Sequence, residues 1–99
     1  MEVVYERAFL KDIKKLKDPK TSRLLGTTLT KVEYAVENWP VDGGVPVMPG
    51  LEKLKGFDQF YRIRVGDYRI GISIEISEEE QFFRIVRFLH RKEVYRYFP

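Results

Sequence analysis

Apolar residues change their period along this chain, and the change divides it in two. Across residues 6–17, Phe9, Ile13 and Leu16 recur at i, i+4 and i+7 with lysines between them, the stripe of an amphipathic α-helix. Asp18-Pro19 closes that segment, because the residue before a proline avoids helical backbone. Thr21 or Ser22 then caps a second helix, whose stripe runs through Leu25, Leu29, Val32, Val36 and Trp39 and must stop at Trp39-Pro40. Gly26 inside it costs about 1 kcal/mol relative to alanine. Two such helices with a short joint read as an αα-hairpin. The stretch 41–50, VDGGVPVMPG, holds two prolines and three glycines and reads as a loop.

Beyond that loop the period falls to two. In residues 60–65, Tyr61, Ile63 and Val65 point one way and Phe60, Arg62 and Arg64 the other. Residues 68–76 set Tyr68, Ile70, Ile72, Ile74 and Ile76 against Arg69, Gly71, Ser73 and Glu75. Gly66-Asp67 between them is the two-residue turn of a β-hairpin, and Glu78–Glu80 makes another turn. Residues 82–89 form a third strand, apolar on both faces and central, and residues 3–5 are a further candidate strand. Residues 90–97 close the chain as a helical turn or an extended tail. The fold class is α+β: two N-terminal helices packed on a three- to four-stranded, mainly antiparallel twisted sheet, in one domain over 1–99.

The hairpin register follows from its turn. With Gly66 and Asp67 as the loop, Val65 opposes Tyr68, Arg64 opposes Arg69, Ile63 opposes Ile70 and Arg62 opposes Gly71. One face is apolar and packs on the helices; the other carries Arg62, Arg64 and Arg69 together. Like charges directly opposite cost about 0.2–1 kcal/mol per pair. Either carboxylates such as Glu75, Glu52 or Asp58 neutralise that face, or it is built for an anion. Guanidinium forks suit phosphate, to which they donate two parallel hydrogen bonds. Gly71 beside Arg62 is expected to leave bare backbone, where a polymer can lie close.

Composition narrows the chemistry. Residues 82–99 hold Arg84, Arg87, Arg91, Lys92 and Arg96 against the single acid Glu93, so the overall +3 surplus is concentrated there. Zero cysteines and one histidine remove disulfides and thiol catalysis and argue against a zinc site. No G-x-S-x-G turn and no G-x-x-x-x-G-K-[ST] loop occurs, so neither a serine triad nor a nucleotide-phosphate loop is expected. No cofactor or metal is expected. The opening MEVVYERAFLKD lacks the apolar core of a secretory signal and no run of about 18 apolar residues suits a bilayer, which fits a cytoplasmic protein. His90 and Tyr95 sit beside the basic tail. A histidine titrates where phosphoester chemistry moves protons, and a tyrosine can do so or stack on a base. His90 can equally be a packed residue, and Tyr95 an anchor for the tail.

The order helix, helix, proline-rich loop, then LEKLKGFDQFYRIRVGDYRIGISIE and FFRIVRFLHRKEVYRYF, resembles the RelE/ParE toxin superfamily of toxin–antitoxin systems. The likeness is most specific in LKG-x4-YRIRVGDYRI and HRKEVY. It implies a small domain of two helices on an antiparallel sheet, held inactive by a cognate antitoxin protein. In RelE-type members it implies metal-independent cleavage of mRNA on the ribosome. By motif, the implied catalytic set is Arg62, Arg64, Arg69, Arg91 and Tyr95. The best-known RelE toxin carries lysines where Arg62 and Arg64 stand, so the resemblance shifts proton transfer here toward His90 or Tyr95. Lys53, Lys55, Arg84, Arg87, Lys92 and Arg96 are further candidates for RNA and ribosome binding, with Lys11, Lys14, Lys15 and Lys17 alongside. ParE-type members share the fold but inhibit DNA gyrase. A plain RNA-binding domain is the third alternative.

Overall fold

A computed structural model describes residues 1–39, 48 and 50–99; the predicted loop 41–50 lies outside the described residues except for Met48 and Gly50. The elements run β1 (Glu2–Tyr5), α1 (Arg7–Lys14), α2 (Pro19–Glu37), β2 (Leu51–Lys53), β3 (Phe60–Val65), β4 (Tyr68–Ile76), β5 (Gln81–His90) and α3 (Val94–Tyr97). The strands make one sheet in the order β1-β5-β4-β3-β2.

The structure corrects the expected sheet in two respects. It has five strands rather than three or four, because Leu51–Lys53 adds an edge strand antiparallel to β3. It is also mixed: β1 runs parallel to β5, with Val3 opposite Phe83 and Tyr5 opposite Ile85. The first helix ends at Lys14 rather than residue 17, and Leu16 lies past its end with its N–H on the Ile13 carbonyl. The second begins at Pro19, ahead of Thr21 and Ser22. The cap is Asp18 itself, whose carboxylate accepts from the Lys20 N–H and the Thr21 hydroxyl. Pro19 follows at the first helical position, where its missing N–H costs nothing. The Thr21 hydroxyl, then the Lys20 amide, hold the Asp18 carboxyl below its usual range.

The apolar face of the sheet packs as the alternation requires. Ile63, Val65, Ile70, Ile72, Phe83 and Ile85 are buried with Phe9 of α1 and Leu25, Val32 and Val36 of α2. The helices lie over different strands, α1 against β5 and α2 across β1 and β3. The β3–β4 register is the one the turn dictates: Val65 opposite Tyr68, Arg64 opposite Arg69, Arg62 opposite Gly71. Gly66 takes φ +59°, the positive φ that the first turn position of a II′ hairpin demands. In β5, Gly71 opposes Arg87 while Ile72 opposes Ile85, leaving Val86 as the extra residue of a β-bulge. No described helix is long and apolar enough to cross a membrane.

Candidate active site

On the face away from α1 and α2, the strands bring Arg62, Arg64 and Arg69 together. Arg62 and Arg64 stand two apart on β3, and Arg69 lies directly across from Arg64. Arg91, just after β5, joins them because its N–H bonds the Asp67 carbonyl of the hairpin turn at 2.8 Å. Burial, then the charges of Arg64, Arg62 and Arg91, push the Arg69 guanidinium below its usual range. Four guanidinium groups therefore share one field, and among the described residues Arg69 makes no ion pair, with Glu52 acting on it only at a distance. Among the described residues its Nη1 donates to the carbonyls of Gly66 at 3.0 Å and Tyr68 at 2.8 Å.

Arg62 is held differently. Its Nε donates to Glu52 at 3.2 Å, and its Nη1 donates to the Tyr95 hydroxyl. The guanidinium carbon lies 5.2 Å from the centre of the Tyr95 ring. The Tyr95 hydrogen bond first, then Glu52, hold Arg62 above its ordinary range. Arg64 is exposed and makes no ion pair among the described residues. The arginine face is thus neutralised at one position of three, by Glu52.

The tail is helical, and it covers part of this face. Val94 and Phe98 join Leu89 in a second apolar cluster with Leu54, Phe60 and Val86 against them. The expectation of bare backbone at Gly71 is corrected: the Phe98 ring lies on it. What remains open is the arginine end of the face, with Tyr95 at its border and 74% exposed.

Several expected site residues stand elsewhere. His90 is paired with Tyr68, whose side chain belongs to the helix-facing core. The imidazole packs edge-on to the Tyr68 ring at 5.3 Å, and its Nδ1 accepts from the Lys92 N–H at 3.2 Å. It lines a cavity of about 400 Å³ that Asp12 and Lys15 share with Arg87, Leu89 and Tyr97. Arg84 donates to both Glu75 and Glu6, and Arg87 makes a two-pronged pair with Asp12. Both arginines are thus engaged with carboxylates of the fold. Lys53, Lys55, Lys92 and Arg96 are exposed, with Arg96 near the Tyr97 ring at 5.9 Å. Among the described residues no hydrogen bond or ion pair draws any of them into the arginine cluster.

Two contributors to the site carry little sequence signal. Glu52 reads only as one possible neutraliser, because its strand is three residues long and shows almost no periodicity. Phe98 lies three residues past HRKEVY, the last of the specific motifs. Among the described residues no group of three or more His, Cys, Asp or Glu side chains is placed to hold a metal ion. The arrangement can bind a polyanion, concentrate positive charge at one phosphate and present an aromatic hydroxyl beside it.

A family model described as the ParE toxin of the type II toxin–antitoxin system parDE matches residues 3–95. The Toxin RelE3 of Methanocaldococcus jannaschii is 34% identical over 100 residues, spanning all of both chains. Among solved structures, the RelB–RelE antitoxin–toxin complex from Methanococcus jannaschii holds a chain 31% identical. The match has TM-score 0.60 and covers 97% of this chain and 99% of that one. The YoeB/ParE toxin from Agrobacterium tumefaciens, at 14% identity and TM-score 0.61 over 91% of this chain and 98% of that one, shares the fold.

Proposed function

The chain belongs to the RelE/ParE superfamily of type II toxin–antitoxin toxins, and from that membership we propose that it is a ribosome-dependent endoribonuclease that cleaves mRNA. The observation that carries this reading is the crowding of Arg64, Arg62 and Arg91 around Arg69, where burial and then their three charges outweigh the single opposing charge of Glu52. Such a field is a standing cost without an anion and a gain once a phosphate enters. The reaction is attack of a ribose 2′-oxygen on the adjacent phosphorus. The bond to the 5′-oxygen breaks, leaving a 2′,3′-cyclic phosphate and a 5′-hydroxyl, and the proton leaves the 2′-oxygen and ends on the 5′-oxygen.

Arg64 and Arg69 face each other across the hairpin and hold the scissile phosphate, stabilising the charge that builds on its oxygens. Arg62 and Arg91 bind the flanking backbone and counter the leaving oxygen. Tyr95 stacks on the nucleotide or carries the proton at its hydroxyl. Arginine stays protonated and serves in charge stabilisation only. His90 leaves the catalytic set in this reading, because the sheet stands between it and the cluster. A cognate antitoxin partner is supported by the RelB–RelE pairing of the similar solved structure.

The test is primer extension on mRNA from a translating extract charged with the purified chain. Discrete new 5′ ends are expected on ribosome-bound message and none on the same RNA without ribosomes. A second reading is favoured by one observation, the match to a model described as a ParE toxin. There the chain inhibits gyrase and leaves RNA intact. Intact message together with lost supercoiling activity would replace the first reading with the second.

A further inference from the structure

We propose that Gly71 and Phe98 are positioning residues for the candidate active site: the missing side chain at 71 seats the Phe98 ring on the sheet, and that seat sets Tyr95 against Arg62. The kinetic consequence rests on the proposed nuclease activity; the geometric claim does not.

Glycine in a strand interior weakens it, so its presence in the middle of β4 needs a reason. Backbone conformation does not supply one, since the positive-φ glycines are Gly50, Gly56 and Gly66 and not Gly71. Space does. A Cβ built at Gly71 would lie 2.8 Å from Cγ and Cδ1 of Phe98 and 2.9 Å from Cδ2, closer than carbon atoms approach. The ring lies against bare backbone where any other residue would lift it.

The seat adjoins the site, because Gly71 is the register partner of Arg62. Phe98 is held from the side by Phe60, edge-on at 5.6 Å, and its N–H bonds the Val94 carbonyl at 2.9 Å. Val94 and Phe98, each 3% exposed, pin the short helix from below. Tyr95, next to one and three residues from the other, is left on the outer side, where Arg62 donates to its hydroxyl. Burial of both anchors makes this tail a built part of the sheet face and not a lid lying in a groove. Glu52 grips Arg62 from the opposite side, so the guanidinium is located between a carboxylate on β2 and a phenol on α3.

The experiment reads the Arg62 side-chain Nε–H by NMR and, in parallel, ribosome-dependent cleavage, in Gly71→Ala, Phe98→Ala, Phe98→Leu and Tyr95→Phe. Gly71→Ala and Phe98→Ala attack the seat from its two sides, and neither touches the main core. Both are expected to move the Arg62 resonance toward its place in Tyr95→Phe, and Phe98→Leu, which refills the seat, to return it. Both are expected to lower kcat, by up to about 10²-fold for a displacement near 1 Å, with KM little changed. In a Tyr95→Ala background, which removes ring and hydroxyl together, neither adds a further loss. An Arg62 signal that shifts in Tyr95→Phe but stays put in both seat variants overturns the proposal, as do losses that multiply across the double variants. If the unaltered chain cleaves nothing, the nuclease reading falls, and the NMR arm still decides the seat.

Discussion

Replacing Arg69 with alanine is expected to cut single-turnover mRNA cleavage by about 10²–10³-fold, the usual effect of removing one donor to a transition-state oxyanion, while the melting temperature holds or rises slightly. The two halves come from the same geometry. Among the described residues Arg69 donates to the carbonyls of Gly66 and Tyr68, both on its own hairpin and neither on a distant element. Its removal also relieves the like-charge opposition to Arg64, worth about 0.2–1 kcal/mol for a cross-strand pair. A residue that stabilised the fold would show the opposite: activity per folded molecule retained and stability lost. Cleavage rates and thermal unfolding on one preparation separate these cases. Cleavage within threefold of the unaltered chain would remove Arg69 from the mechanism, and with it the claim that this cluster was shaped around a phosphate.

That cluster is legible in the sequence because the two-residue turn Gly66-Asp67 leaves the hairpin a single register. Once the register is set, the face of every residue from Phe60 to Ile76 follows from parity. The helices are legible for a similar reason, since the Phe9–Ile13 and Leu25–Val36 stripes are local. What stays hidden depends on distance or on a break in parity. Asp12, the partner of Arg87, lies 75 residues away in sequence and Glu6, one of the two partners of Arg84, lies 78 away, so neither pairing is visible locally. The parallel pairing of β1 with β5 joins the two ends of the chain, and no local pattern announces it.

His90 is the clearest case. Strict alternation from Phe83 and Ile85 would put residue 90 on the arginine face. The bulge at Val86 inserts one residue and flips everything after it, so Phe88 packs in the helix-side core and His90 follows. A single unpaired residue moves the only histidine from the proposed chemistry to the other side of the sheet. Catalysis unaffected by His90→Ala is the corollary.

Asp12→Ala is expected to cause an unusually large loss of stability for a polar substitution, and the reason is the end of β1. The parallel ladder stops where the Glu6 N–H meets the Ile85 carbonyl at 2.9 Å, so the outer edge of β5 runs on without a strand beside it. Asp12 of α1 takes over. Its carboxylate accepts from the Phe88 N–H at 2.9 Å and from Arg87 Nε and Nη2 at 2.8 and 3.1 Å. The carboxylate is 8% exposed and the Arg87 side chain 26%. Removing it strands a half-buried cation and a backbone donor at once. Breaking one side of a buried pair costs about 3–5 kcal/mol, and the partial exposure of Arg87 puts the expectation at the low end, about 3 kcal/mol. In a domain near this size about 1 kcal/mol moves the midpoint by 4–8 °C, so thermal unfolding should fall by about 12–24 °C. Asp12→Asn keeps an acceptor for the Phe88 N–H and gives up only the charge, so it should fall between the two. A drop of less than about 3 °C for Asp12→Ala would mean that Phe9 alone docks α1 on the sheet, and that the ion pair adds no more than an exposed one does.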